Sequence, residues 1–176
     1  MVIINGLTKN WRYPGWRVCW TLGPKEVISR LMSAGSFLDG GASRPMQRAT
    51  IPLLEPELAL QEARAIQKTF RQKRDMLLAR LGSMGIRVER PPEGTFYVWG
   101  NVSNLPEPLS TGMDFFRHGL QHQFICVPGQ FFDVNPGQRR SQHSRFHQHV
   151  RFSFGPAAQT LEGGLDRLEK LIQSQS

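Results

Sequence analysis

Apolar positions along the chain change their spacing several times, and each change marks an element. Val2–Ile4 and Val18–Leu22 are short apolar runs bounded by turn residues, which predicts two buried strands flanking the loop between them. Pro24 stands where a helix can open without losing a backbone hydrogen bond, and Val27, Leu31 and Met32 then recur at helical spacing up to Ser36. Phe37 to Ser43 contains the pair Gly40-Gly41 and predicts a loop. A short helical passage starts near Pro45, and Pro52 stops it ahead of Leu53-Leu54. From Pro56 to about Leu81 the pattern is one long helix, with Leu58, Ala63, Ile66, Phe70, Met76, Leu77 and Leu81 available for its apolar face.

After Gly82 the texture changes. Ile86–Val88 and Thr95–Trp99 predict strands on either side of the turn Arg90–Gly94. A helix over 112–122 follows, then a strand over Phe124–Val127 that ends at Pro128-Gly129. Gly129 to Gln148 is rich in Gly, Gln, Arg and His and predicts a mobile loop. Val150–Phe154 predicts a strand, and Gln159–Ile172 a closing amphipathic helix carrying Leu161, Leu165, Leu168 and Leu171. The expected class is α/β, with a boundary near residues 55–80. Residues 1–55 form one part, 56–81 a linking helix, and 82–176 a small α/β domain.

Composition narrows the field. An apolar fraction of 39% and a charged fraction of 20% are ordinary for a globular protein. No apolar run approaches the roughly 20 residues of a membrane span. Met-Val-Ile-Ile-Asn lacks the basic and long apolar regions of a secretion signal, so a cytoplasmic protein with Cys19 and Cys126 reduced is expected. A net charge of +8 raises nucleic-acid binding, with arginines at 71, 74, 80, 139, 140 and 145. Those on the long helix are interleaved with apolar residues as on a solvated face, and no nucleic-acid-binding signature accompanies them. His143, His147 and His149 suggest a metal site, but no cysteine or acidic partner stands nearby, and none is expected. Cys126 sits in Phe-Ile-Cys-Val, a setting that suppresses a thiolate nucleophile.

The densest chemistry lies near the start, in Thr8-Lys9-Asn10-Trp11-Arg12-Tyr13-Pro14-Gly15-Trp16-Arg17. A lysine that bonds an aldehyde needs a setting that favours its neutral amine, and a nearby fixed cation helps to provide one. An arginine fork also grips a phosphate ester through two parallel hydrogen bonds. Lys9 and Arg17 together therefore suit an aldehyde that carries a phosphate, as pyridoxal 5'-phosphate does. A solvated Lys/Arg loop is the plainer alternative, but two tryptophans and a Pro-Gly turn make a rigid aromatic segment. From Asn5-Gly6-Leu7-Thr8-Lys9 to Gly15-Trp16-Arg17-Val18 the stretch resembles the cofactor-lysine segment of class I/II pyridoxal-phosphate-dependent aminotransferases of fold-type I. The resemblance implies that Lys9 bonds the cofactor as an imine and Arg17 holds its phosphate. Two positions depart from the family pattern. Gly6 stands where a phosphate-touching serine is frequent, and Cys19 stands where glycine is frequent.

Arg151 is the second candidate site residue. An arginine inside the apolar alternation His149-Val150-Arg151-Phe152-Ser153-Phe154 is costly unless its guanidinium meets an anion or several acceptors. The pattern alone leaves an internal Asp or Glu and a ligand carboxylate equally open. The resemblance implies the latter, since a Val-Arg-Phe-Ser-Phe-Gly-type strand near the C-terminus carries the family's substrate-carboxylate arginine. Pro92-x-Gly94-Thr95-Phe96-Tyr97-Val98-Trp99 and Val127-Pro128-Gly129 with Phe132 resemble its small-domain landmarks, and the Gly40–Gln47 loop its segment reaching the neighbouring subunit of a homodimer. Tyr97 is either pocket or core, and an aromatic on a strand is more often core.

The chain is thus expected to be the C-terminal half of such an enzyme. It would comprise a remnant of the large cofactor-binding domain (1–55), the linking helix, and the small domain. The resemblance implies transfer of an amino group between an amino acid and a 2-oxo acid. The cofactor acts as electron sink, and Lys9 moves a proton at the substrate Cα. This chain alone is expected to be inactive, since the family's remaining cofactor ligands lie upstream of the lysine. The alternatives are a related pyridoxal-phosphate lyase, like aminocyclopropane-carboxylate synthase, and a non-catalytic interaction module.

Overall fold

The computed structural model describes residues 1–135, 139–142 and 144–175. Contacts divide the chain into two units, Met1–Gln67 and Lys68–Ser176.

The first unit is built on a two-stranded antiparallel ribbon. β1 (Ile3–Gly6) pairs with β2 (Cys19–Leu22), Ile3 facing Leu22 and Gly6 facing Cys19. The intervening segment folds into a single helical turn, α1 (Leu7–Asn10), and a 3-10 turn at Pro14–Trp16. The ribbon was expected to be buried. Instead Val2, Ile3, Ile4 and Leu22 are all exposed, because only Leu7, Val18 and Thr50 are buried in this unit. α2 (Lys25–Leu38) begins directly after Pro24 and runs through Phe37-Leu38, which the sequence had assigned to a loop. Nothing in that pair breaks a helix. The terminator is Gly40, whose left-handed φ of 69° lets its N–H and that of Asp39 both reach the Gly35 carbonyl. α3 (Arg44–Thr50) passes into a 3-10 turn at Ile51–Leu54 that carries Pro52 in its first turn, where the missing N–H costs nothing.

α4 (Pro56–Ser83) is the long helix expected from Pro56. Its apolar face, however, is buried only towards its C-terminal end, at Leu77 and Leu81, while Leu58 is exposed.

The second unit is a two-layer α/β arrangement. Its sheet has the order β3-β5-β4, all antiparallel, from β3 (Tyr97–Asn101), β4 (Val127–Pro128) and β5 (His149–Ser153). Alternation decides which face is which. Val98 and Gly100 of β3, and Val150 and Phe152 of β5, point into the core. They meet Leu77 and Leu81 of α4, Phe115 of α5 (Gly112–Gln121), and Leu161, Leu165, Leu168 and Leu171 of α6 (Ala158–Gln173). Tyr97, Trp99, His149 and Arg151 take the opposite face and are half-buried. Lys73 of α4 is buried too, its Nζ donating to the carbonyls of Gly155 and Pro156 at 3.1 and 2.8 Å. Arg80 links α4 to Asp166 and Glu169 of α6.

Two expected strands shrink. Ile86–Val88 contributes a single bridge, Arg87 to Asn101, because Ile86 turns into the core and Pro91-Pro92 offer no N–H beyond. Phe124 does not start a strand either. Its N–H returns to Gly119 and its ring packs on Phe115 and Phe152, so it closes α5. Among the described residues no helix is long and apolar enough to cross a membrane.

Candidate active site

Lys9 and Arg17 lie on one loop whose two ends are joined by a backbone bond. The Leu7 N–H donates to the Val18 carbonyl at 3.1 Å, which extends the ribbon by one step beyond Gly6 and Cys19. Leu7 and Val18 are buried, so this step anchors the open end of the ribbon. Lys9 follows two residues after Leu7, in the turn of α1, and Arg17 directly precedes Val18. Both side chains are exposed at that end. Tyr13 closes the loop through its N–H to the Leu7 carbonyl and stacks on Trp16 at 5.0 Å. Trp11 packs edge-on against Trp20 and donates its indole N–H to the Leu53 carbonyl.

Arg17 itself is left-handed, with φ 53° and ψ 37°, a conformation that costs a non-glycine residue roughly 1 kcal/mol or more. One guanidinium N–H is used on the Pro14 carbonyl at 2.9 Å. The rest of its five donors are not consumed by any described residue, which suits a phosphate. An exposed amine and a fork with spare donors, on one rigid aromatic loop, fit a phosphorylated aldehyde cofactor.

The departures at Gly6 and Cys19 face each other across the ribbon. A Cβ at Gly6 would lie 2.8 Å from both the Cys19 Cβ and the Val18 carbonyl oxygen. A serine there would meet backbone atoms of Val18 and Cys19 as well as the Cys19 side chain.

In the second unit, Arg151 sits mid-way along β5, with Trp99 opposite on one side and Val127 on the other. Its guanidinium carbon lies 4.0 Å from the centre of the Tyr97 ring and 4.5 Å from that of Phe132. Among the described residues it has no ion-pair or hydrogen-bond partner, so the internal Asp or Glu left open by the sequence pattern is not there. Tyr97 belongs to this face and not to the core. Phe132 takes part as well, a role invisible in the sequence beyond its place after Val-Pro-Gly. It sits in a 3-10 turn, Gly129–Phe132, within the stretch expected to be a loop.

That turn is tied down on both sides. A Cβ at Gly129 would meet the carbonyl oxygens of Phe146 and His149 at 2.6 and 2.8 Å, so only glycine allows the approach. Just beyond, Arg140 grips both oxygens of Asp133 at 3.1 and 2.6 Å. Hydrogen bonds from Arg140 and Ser144 hold the Asp133 carboxyl below its usual range. His149 stacks on Trp99 at 5.7 Å, and its Nδ1 is buried with no hydrogen-bond partner among the described residues. Burial holds the imidazole below its ordinary pKa.

His143 lies outside the described residues, and no group of three metal ligands occurs among the described ones. Burial pushes the Cys126 thiol up to about 12. Several arginines of the supposed basic patch are spoken for: Arg74 by Asp75, Arg80 by α6 and Arg140 by Asp133.

The sequence matches the profile of aminotransferase class I and II over residues 1–168. The chain belongs to that family. It is 27% identical to a protein of Bacillus subtilis named as a probable N-acetyl-LL-diaminopimelate aminotransferase, over 97% of this chain and 40% of the relative. It is 32% identical to the glutamate-pyruvate aminotransferase AlaC of Escherichia coli, over 80% of this chain and 32% of the relative. Among solved structures, the aspartate aminotransferase of Thermus thermophilus with maleate superposes with a TM-score of 0.81 at 26% identity, covering 97% of this chain and 41% of that one. The chain spans about two fifths of the length of the Bacillus subtilis relative. The family membership agrees with the expectation drawn from the Lys9 segment, and the α/β fold with that of the solved relatives.

Proposed function

We propose that this chain supplies the cofactor-lysine segment and the carboxylate-anchoring small domain of a pyridoxal-phosphate-dependent aminotransferase. The observation that carries the proposal is the Leu7–Val18 bond, which closes the base of the loop that carries both Lys9 and Arg17. Lys9 Nζ bonds the cofactor, and Arg17 holds its phosphate. Bound there, pyridoxal 5'-phosphate supplies an electron sink for charge released at the substrate Cα. Lys9 would move a proton at that carbon. Arg151 orients an amino acid or 2-oxo acid by its carboxylate.

In this reading residues 1–55 belong to a large domain, 56–81 to the linking helix and 82–176 to the small domain. The exposed apolar side chains of β1, β2 and α2 support an incomplete first unit. Turnover then depends on segments that the relatives have beyond this stretch, and the Gly40-Gly41 loop faces a second copy in a homodimer. A reducing, cytoplasmic setting suits Cys19 and Cys126, which are unpaired.

The test is titration of the purified chain with pyridoxal 5'-phosphate, borohydride reduction and peptide mapping. A pyridoxyl group retained on Lys9 and lost in Lys9→Ala is expected, without transamination of any amino acid and 2-oxo acid pair. Label spread evenly over surface lysines argues against a built site, and turnover by this chain alone argues against the dependence on further segments.

A further inference from the structure

A carboxylate anchor needs more than a positive charge, because an arginine side chain carries about 2 kcal/mol of rotamer entropy that binding must offset. We propose that Tyr97 and Phe132 are positioning residues that fix the plane of the Arg151 guanidinium and present its N–H edge to a substrate carboxylate. The inference rests on the reading of Arg151 as that anchor.

Sheet order supplies the geometry. β5 lies between β3 and β4, and the two rings reach Arg151 from those two sides. Tyr97 comes from β3, paired with Ser153 and therefore one step diagonal to Arg151. Phe132 comes from the 3-10 turn that follows β4. Both ring centres lie within 4.5 Å of the guanidinium carbon, which is stacking distance. A ring engages the face of the guanidinium and takes none of its in-plane donors, whereas a carboxylate partner would consume them. Two aromatic contacts can thus order the fork and still leave it able to bind an anion. No carboxylate of a described residue competes for it.

The rings are themselves held. Phe132 packs edge-on against Trp99 at 5.6 Å, and Trp99 is stacked on His149. Immediately after Phe132, the two-pronged Asp133–Arg140 pair clamps the chain, with the Asp133 side chain almost fully buried. Gly129 fixes the other end of the turn against β5. Tyr97 is fixed by the ladder of β3 and by the neighbouring Phe96 ring at 4.3 Å.

The experiment uses the full chain labelled with 15N-arginine, with pyruvate as the carboxylate probe and the Arg151 Nε–Hε cross-peak as the readout. In the wild type that peak shifts saturably with pyruvate. Tyr97→Leu and Phe132→Leu each raise the half-saturation concentration about three-fold, the loss expected of one ring–cation contact at a half-exposed site. Tyr97→Phe, which keeps the ring and loses the hydroxyl, leaves it unchanged. If the wild-type peak does not respond to pyruvate, the anchor reading of Arg151 falls. If it responds and both leucine variants respond equally, the anchor stands and the positioning role falls. Should a leucine variant not fold, the wild type still decides. Arg151 must show a ring-current upfield shift and slowed rotation about Nε–Cζ relative to the exposed Arg117, and Arg117-like behaviour overturns the positioning role.

Discussion

Gly6 and Cys19 show how a single residue pair constrains the base of the loop that carries Lys9 and Arg17. Their Cα atoms are partners in the ribbon, and a Cβ at Gly6 would meet the Cys19 Cβ as well as backbone atoms of Val18 and Cys19. Gly6→Ser alone is therefore expected to destabilise the first unit by about 1–3 kcal/mol through overpacking. Adding Cys19→Gly should recover part of that loss, since residues in contact couple non-additively. Urea denaturation of both single variants and the double variant tests it, and strict additivity would sink the idea. Lys9, Arg17 and Arg151 were singled out as candidates from the sequence because local motifs carry them. Tyr97 was not, since its place on Arg151 depends on strand register, and Phe132 depends on a turn that the polar composition of 129–148 concealed.

His149 carries the second prediction at this scale. Desolvation lowers its proton affinity in the folded chain, with Glu89 opposing and His147 and Arg87 reinforcing the effect. The unfolded chain, with an ordinary histidine near pH 6.5, then binds more protons, so acid favours unfolding. The contribution is complete above about pH 6.5 and is lost as the pH falls from there towards the depressed folded value. His149→Phe keeps a ring on Trp99 and removes the proton. Compared at pH 7.5 and pH 5.5, the variant should lose less stability than the wild type on acidification. An equal loss in both would show that His149 is solvated as an ordinary surface histidine.

At the scale of elements, the long helix, the closing helix and β5 were plain from periodicity, whereas Ile86–Val88, Phe124 and the end of α2 were not. In each of the latter the local pattern was honest but a tertiary choice overrode it: Ile86 and Phe124 were taken into the core, and Gly40 rather than the preceding apolar pair ended the helix. Lys73 is the sharper case, a cation on the buried stripe of α4 where the pattern gave no warning. Its two bonds to Gly155 and Pro156 connect that helix to the turn between β5 and α6. Lys73→Met keeps the stem and removes the donors, leaving both carbonyls short of a partner. A loss of about 1.5–3 kcal/mol is expected, as for a hydrogen bond from a charged group. Leu168→Ala, at the centre of α6, should cost about 2–5 kcal/mol by cavity formation. Chemical denaturation read by near-ultraviolet circular dichroism reports on both, and a neutral Lys73→Met would mean that water replaces the ammonium at no cost.

For the whole molecule, the decisive contrast is between the two units. Met1–Gln67 buries only Leu7, Val18 and Thr50, while Phe37 and Leu38 are 91% and 84% exposed. Lys68–Ser176 encloses a continuous cluster from Leu77 to Ile172, with the Phe115 ring packed on Phe152 and the Phe154 ring on Phe70. A two-stranded ribbon is marginal in water by itself, and a helix with no buried face gains little from packing. Amide hydrogen exchange should therefore separate the chain into two kinetic populations. β3, β5, α5 and α6 exchange at the rate of global unfolding, while β1, β2 and α2 exchange many-fold faster through local opening. Limited proteolysis should in turn leave a resistant piece containing the second unit. Adding pyridoxal 5'-phosphate is expected to slow exchange around Lys9 only as far as binding stabilises the folded loop, by the linkage between ligand and stability. Uniform protection across both units would mean that the first is stable as it stands, and the exposed apolar side chains would no longer support an incomplete first unit.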